Sequence, residues 1–169
     1  MQSGTGRATA CSIARALAVV GERWTLSIVR EVFAGAHRFD DFRKRLGIAR
    51  NILSARLRTL VEHGVLERRA YQQAPPRFEY HLTPMGNDLY PVLVSLMGWG
   101  DRWLAGEAGV PLTLTHRPCG HAAQPELTCG HCGDALRHED VRARLRLGAG
   151  SPMKNPDRAR HGRGLRSDS

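Results

Sequence analysis

Two stretches of the sequence hold side chains whose types and spacing suit chemistry. In HRPCGHAAQPELTCGHCG, His116 and Cys119 stand three apart and precede Gly120, while Cys129 and Cys132 stand three apart and precede Gly133. A corner of this kind lets two side chains meet one ion while glycine relieves the turn. Two corners complete the tetrahedral shell of a zinc-ribbon site. Cys119, Cys129 and Cys132 are the firmest ligands. His116 is the fourth on spacing, with His121 as the second choice. A closed set of four points to structural rather than catalytic Zn2+. The alternatives are a loop with three reduced thiols, or a redox pair formed by Cys129 and Cys132.

The second stretch is NILSARLRTLVEHGVLERR, from Asn51 to Arg69. Leu53, Leu57 and Leu60 recur at helical spacing and define a packing stripe from about Ala49 to His63, extended by the neighbouring Val61. Asn51, Ala55, Arg58 and Glu62 lie opposite, flanked by Ser54 and Thr59. Arg and Asn make bidentate contacts to base edges, so Asn51, Ser54 and Arg58, with Arg50 near the helix start, are candidate readers of DNA; Arg56 is less well placed. Arg68, Arg69 and Arg77 bracket the following hairpin and suit phosphate contacts, which position a protein without reading sequence. Arg38, at the start of a basic segment upstream, joins this set. The plain alternative is a charged helix face that is merely solvated.

These residues need elements to hold them. Apolar spacing predicts a helix from Ile13 to Val20, with Ser12 as cap and Gly21 as stop, and a second, mostly apolar helix from Trp24 to Phe33. Phe39, Phe42 and Leu46 predict a short basic helix over Arg38 to Leu46, closed by Gly47. After Gly64, the segments VLERRAY and RFEYHLT flank QQAPP and read as a hairpin, because Phe78, Tyr80 and Leu82 alternate with Glu79 and His81. Tyr71, Phe78 and Tyr80 read as packing residues. A long helix is expected from Pro84 to Leu104, started by Thr83 and bent at Pro91 or near Gly98 and Gly100.

At 169 residues the chain suits one domain with an appendage. The formal net charge of +9 favours a polyanionic partner, and its distribution is uneven. His37 to His81 holds ten basic and five acidic residues, whereas Leu82 to Leu104 holds one basic and two acidic. Arg137 to Ser169 adds nine basic and four acidic, and its last twenty or so residues read as disordered. No apolar run approaches the roughly 20 residues of a membrane span, and the N-terminus lacks the apolar core of a signal peptide, so a soluble cytoplasmic protein with no membrane partner is expected. An enzyme is disfavoured, because no Gly-rich nucleotide loop, nucleophile elbow or carboxylate-rich motif accompanies the cysteines.

Helix, basic helix, amphipathic helix and hairpin follow the order of a winged helix-turn-helix, giving an α+β, mostly α fold. From Cys11 to Gly100 the chain resembles the HxlR family of bacterial winged-helix transcriptional regulators, within the MarR-like superfamily. The resemblance rests on the early Cys, GERWTLSIVREV, RFDDFRKRL, LSARLRTLVEHGVLER, PPRFEYHLTPMG and the closing WG, all in order. It implies a homodimer, most simply a repressor, bound to an inverted-repeat operator in double-stranded DNA. The helix over Ala49 to His63 would recognise DNA, the Leu66 to Thr83 hairpin would be the wing, and the first helix with Pro84 to Leu104 would form the dimer interface.

In several members of that family an early cysteine responds to oxidants or electrophiles, and Cys11 holds that position. A helix start favours the thiolate, the reactive form. The alternative is an inert cysteine at the dimer interface, with a small-molecule effector acting elsewhere. Remoter alternatives are a protein-interaction adaptor and a zinc enzyme. The expected organisation is a flexible N-terminus over 1–10, a DNA-binding and dimerisation domain over 11–106, a Cys/His zinc module over 107–136, and a basic tail over 137–169.

Overall fold

The computed structural model describes residues 11–123 and 125–144. The expected flexible N-terminus and most of the basic tail lie outside them. In chain order the elements are α1 (Ser12–Val20), α2 (Thr25–Phe33), α3 (Phe39–Leu46), α4 (Arg50–Glu62), β1 (Leu66–Gln72), β2 (Arg77–Leu82), α5 (Pro84–Asn87) and α6 (Tyr90–Leu104). Two 3-10 turns follow, at Gly106–Ala108 and His138–Asp140.

The core gathers the inward faces of α2, α3 and α4. Ile28, Val29 and Val32 of α2, Phe42 of α3 and Leu53, Leu57 and Leu60 of α4 are buried together with Ile48, Val65 and Leu66. Burying such side chains contributes about 1.5–3 kcal/mol each, so this stripe fixes the angle at which α4 leaves the body. The spacing of Leu53, Leu57 and Leu60 thus decides which face of α4 stays outside. Glu31 of α2 is buried beside these residues, but it is paired. Arg30 bonds one of its oxygens, and Arg45 Nη1 lies 3.4 Å from the other, tying α3 to α2.

Gly64 performs the change from helix to strand. Its φ of 70° lies in the left-handed region, where a Cβ is disfavoured. β1 and β2 then pair antiparallel, from Leu66 opposite Leu82 to Gln72 opposite Arg77, with a bulge between Ala70 and Gln72. One feature of this sheet has no local signature in the sequence. Arg38 forms an isolated antiparallel bridge with Glu79, and Tyr80 N donates to His37 O at 2.8 Å. The residues before α3 therefore add a short third edge to the wing.

Two expectations change. α1 begins at Ser12, with Cys11 in the cap position, and the Ser12 hydroxyl accepts a bond from Arg15 at 2.9 Å instead of capping the helix. The single helix expected over Pro84 to Leu104 is two. Thr83 caps α5 through a bond from Gly86 N, as expected, but α5 stops at Asn87 and α6 starts at Tyr90. Pro91 is the cause: inside a continuous helix its ring would clash with the Asn87 carbonyl, whereas in the first turn of a new helix its missing N–H costs nothing. α6 continues through Gly98 and Gly100.

α6 presents two apolar faces. Leu89, just before it, and Leu93 pack against the core, and Tyr90 meets Phe33 with ring centroids 5.0 Å apart. Val92, Leu96, Trp99 and Trp103 form a second stripe about a quarter-turn round the helix. All four are exposed, Trp99 at 56%. Ile13 and Leu17 of α1 are exposed as well. No helix of the described residues is long and apolar enough to cross a membrane.

Candidate DNA interface and cysteine corners

α4 offers its free face as its packing stripe requires. Asn51 and Arg58 are exposed and Ser54 is half-buried. Among the described residues, neither Asn51 nor Arg58 makes a side-chain hydrogen bond or salt bridge, so their polar groups are available to a ligand. Arg50, at the first turn, lies over the Phe39 ring at 5.5 Å, which holds its stem while leaving the residue exposed. Arg56 is only partly exposed and reaches Glu22 at 3.2 Å, tying α4 to the segment between α1 and α2. That engagement agrees with its poorer placement in the sequence.

The arginines of the wing differ in how they are held. Arg77 is exposed at the start of β2, with no side-chain partner among the described residues. Arg68 lies over the Phe78 ring at 4.0 Å, and Arg69 pairs with Glu67. Arg38 is the most engaged: its Nε donates to Glu79 at 3.0 Å, and its guanidinium lies over Tyr71 at 4.5 Å. The bond from Arg38 holds the Glu79 carboxyl below its ordinary range, with a smaller effect in the same direction from a hydrogen bond to His81. Arg38 therefore braces the wing against the start of α3.

Of the three aromatic residues read as packing, only Tyr80 reaches the core, meeting Phe42 edge-on at 6.3 Å. Burial raises its phenol pKa. Phe78 and Tyr71 instead carry arginines. Sequence reasoning also missed His37 and His81, whose rings stack at 4.4 Å between α3 and the wing. His37 Nδ1 lies 3.1 Å from Tyr80 O. The placement of His81 on the same strand face as Glu79 was the available signal.

Cys11 is exposed at the cap of α1, four residues from Arg15 and on the element that carries exposed Ile13 and Leu17. The other cysteines occupy two hairpin corners. In the first, His116 Nδ1 is 3.2 Å from Cys119 Sγ, and Cys119 N and Gly120 N both donate to His116 O. In the second, Gly133 N donates to Cys129 O at 2.8 Å, and Cys129 N donates to Asp134 O at 2.8 Å. The Cys129 thiol is held below its ordinary pKa, first by the Cys132 backbone N–H, then by that of His131 and the Cys132 side chain. Each corner thus brings its own pair together. Among the described residues, no group of three or more His, Cys, Asp or Glu side chains is close enough to hold a metal ion.

The comparisons agree with this architecture. Residues 19–108 match the family model described as HxlR-like helix-turn-helix. The chain is 48% identical over 130 residues to an uncharacterized HTH-type transcriptional regulator of Mycobacterium tuberculosis strain H37Rv, covering 77% of this chain and 82% of that one. It is similar in structure to PA1607, a candidate transcription factor, with a TM-score of 0.72 and 38% identity over 80% of this chain and 95% of the other. The redox regulator HypR in its oxidized form is 32% identical, with a TM-score of 0.50 over 54% of this chain and 96% of that one. A buried leucine stripe, a free polar helix face and an adjoining wing, in a chain with these relatives, make one conclusion: the chain belongs to the HxlR-like helix-turn-helix family of DNA-binding transcription regulators.

Proposed function

We propose that the protein is a homodimeric repressor that binds an inverted-repeat operator, with Asn51, Ser54, Arg58 and Arg50 reading bases from the major groove. The observation that carries this reading is that Asn51 and Arg58 are exposed and have no side-chain partner among the described residues, on a helix whose other face is locked into the core. The major groove is about 12 Å wide and accepts one helix presented in this way. Arg77, Arg68 and Arg69 contact phosphates from the wing. Arg38 acts indirectly, by fixing the wing through Glu79.

Replacing Arg58 or Asn51 with alanine removes a base contact worth about 1–3 kcal/mol, or roughly 5- to 150-fold in operator affinity, with little change in binding to unrelated DNA. Arg77→Ala lowers affinity for both DNAs alike and reduces the salt dependence. Gel-shift titration against the chain's own upstream DNA at several salt concentrations measures both effects. Absence of any sequence preference, with unaltered binding by the Arg58 and Asn51 variants, would overturn the assignment.

Cys11 is the residue through which this regulator responds to oxidants or electrophiles. Its exposure gives a reagent access, and the likeness to HypR supports a redox role. Its place beside Ile13 and Leu17 sets any modification next to the apolar surface assigned to the dimer. Operator binding by the wild type should change after treatment with hydrogen peroxide or a quinone, while Cys11→Ser should bind equally before and after. Equal binding by the untreated and treated wild type would remove Cys11 from the mechanism.

A further inference from the structure

We propose that His37 and His81 make DNA binding sensitive to acid: their stack holds the wing against the start of α3 while it carries at most one added proton, and a second proton opens it. The inference rests on α4 and the wing being the DNA-binding surface. The ring centroids are 4.4 Å apart and the planes are inclined by 22°, so the rings meet nearly face to face. Each ring also has a polar partner. His37 Nδ1 stands 3.1 Å from Tyr80 O, and a carbonyl only accepts, so Nδ1 carries a hydrogen. His81 Nε2 stands 3.4 Å from Glu79 Oε2, and a carboxylate only accepts, so Nε2 carries one as well. Neutral rings meet both requirements, leaving His37 Nε2 and His81 Nδ1 as the places for added protons.

The charged groups around the pair decide how many protons it accepts. Glu79 is the anion bonded to it, and Arg38 Nε already bonds the other oxygen of that carboxylate at 3.0 Å. The bond from Arg38, followed by the one from His81, holds the Glu79 carboxyl below its ordinary range, so it stays charged while imidazoles titrate. On β1, Glu67 stands opposite His81 in the register but is paired with Arg69. On α2, Glu31 is paired with Arg30, and α5 carries no charged residue. At the first turn of α3, Asp40 lies 3.9 Å from Arg43 and Asp41 acts on Arg38. One proton on His81 is therefore balanced by Glu79. A second, on His37, finds no uncommitted carboxylate on these elements and sets two cations face to face. Both residues are half-buried, so water screens the repulsion incompletely, and it outweighs the one neutral hydrogen bond from His37 to Tyr80 O. The opened form thus binds one proton more than the stacked form, and acid favours it. Stacking is complete above the ordinary imidazole range, at about pH 6.5, and is lost as the pH falls below it. The loss reaches DNA because His37 belongs to the third edge of the wing: Tyr80 N donates to its carbonyl at 2.8 Å, and Arg68 and Arg77 extend from the strands this edge steadies.

The test uses the full chain. Operator affinity, measured by fluorescence anisotropy at constant ionic strength, should fall about tenfold between about pH 8 and about pH 5, the equivalent of one or two lost phosphate contacts. His37→Asn keeps a donor for Tyr80 O and His81→Gln keeps one for Glu79, yet neither replacement can be charged. Whatever its affinity at the higher pH, each variant should bind almost equally at the two pH values. Imidazole NMR signals of the free protein should show the pair taking up protons in two separated steps, and the remaining histidine of each variant titrating in one. Wild-type affinity that is constant with pH would overturn the proposal. So would a fall of the same size in both variants, or two independent titrations in the wild type. No preference for the operator at any pH would defeat the DNA reading itself, and the titration of the free protein would still decide the stack.

Discussion

Changing Leu96 and Trp99 together to glutamate should leave the chain folded but monomeric, with operator affinity reduced by ~10²–10⁴-fold. Neither residue contributes to the buried core, and both are exposed on α6, so the carboxylates do not disturb the packing that supports α4. In the proposed dimer they would instead enter an apolar interface without partners, which is strongly unfavourable. The effect on DNA follows from geometry. Two recognition helices held about 34 Å apart engage both half-sites, and the second contact is made at the high effective concentration set by the first. A monomer forfeits that gain although its base-reading side chains are untouched. Light scattering measures the mass, circular dichroism the fold and gel shift the affinity. A variant that remains dimeric would place the interface elsewhere than the stripe of Val92, Leu96, Trp99 and Trp103.

Local sequence encodes some of these features and leaves others to tertiary contact. α4 was legible because Leu53, Leu57 and Leu60 follow the helix period, and that period also fixes the free face. The wing was legible because Phe78, Tyr80 and Leu82 alternate. The third edge at Arg38 was not, since its partner Glu79 lies 41 residues away and such a pairing leaves no local rhythm. The break between α5 and α6 had a visible cause in Pro91, but its position depended on which carbonyl the ring would meet. Among the arginines, charge alone could not distinguish Arg58, which has no side-chain partner among the described residues, from Arg56, which is committed to Glu22. The cysteine spacing identified two corners; the backbone revealed that they repeat.

Phe42 carries the largest predicted effect on stability, because it joins the DNA-reading and wing elements through one buried ring. Phe42→Ala should cost about 3–5 kcal/mol, a large share of the roughly 5–15 kcal/mol by which a domain is ordinarily stable. The side chain is fully buried among the stripes of α2 and α4, and Tyr80 of the wing meets its ring edge-on at 6.3 Å. Its removal leaves a cavity that a jigsaw of branched aliphatic side chains fills poorly. Phe42→Leu retains most of the apolar volume and should cost less, although it loses the ring contact with Tyr80. Urea denaturation of both variants measures the difference. In the variant that remains folded, the consequence should extend to DNA: Tyr80 would lose its aromatic partner, the wing would be held less firmly, and Arg77 and Arg68 would be less well placed against phosphate. Operator affinity should therefore fall in Phe42→Leu even under conditions where it is fully folded. Unchanged affinity there would mean that the Arg38–Glu79 bridge and the His37–His81 stack suffice to hold the wing in register with α4.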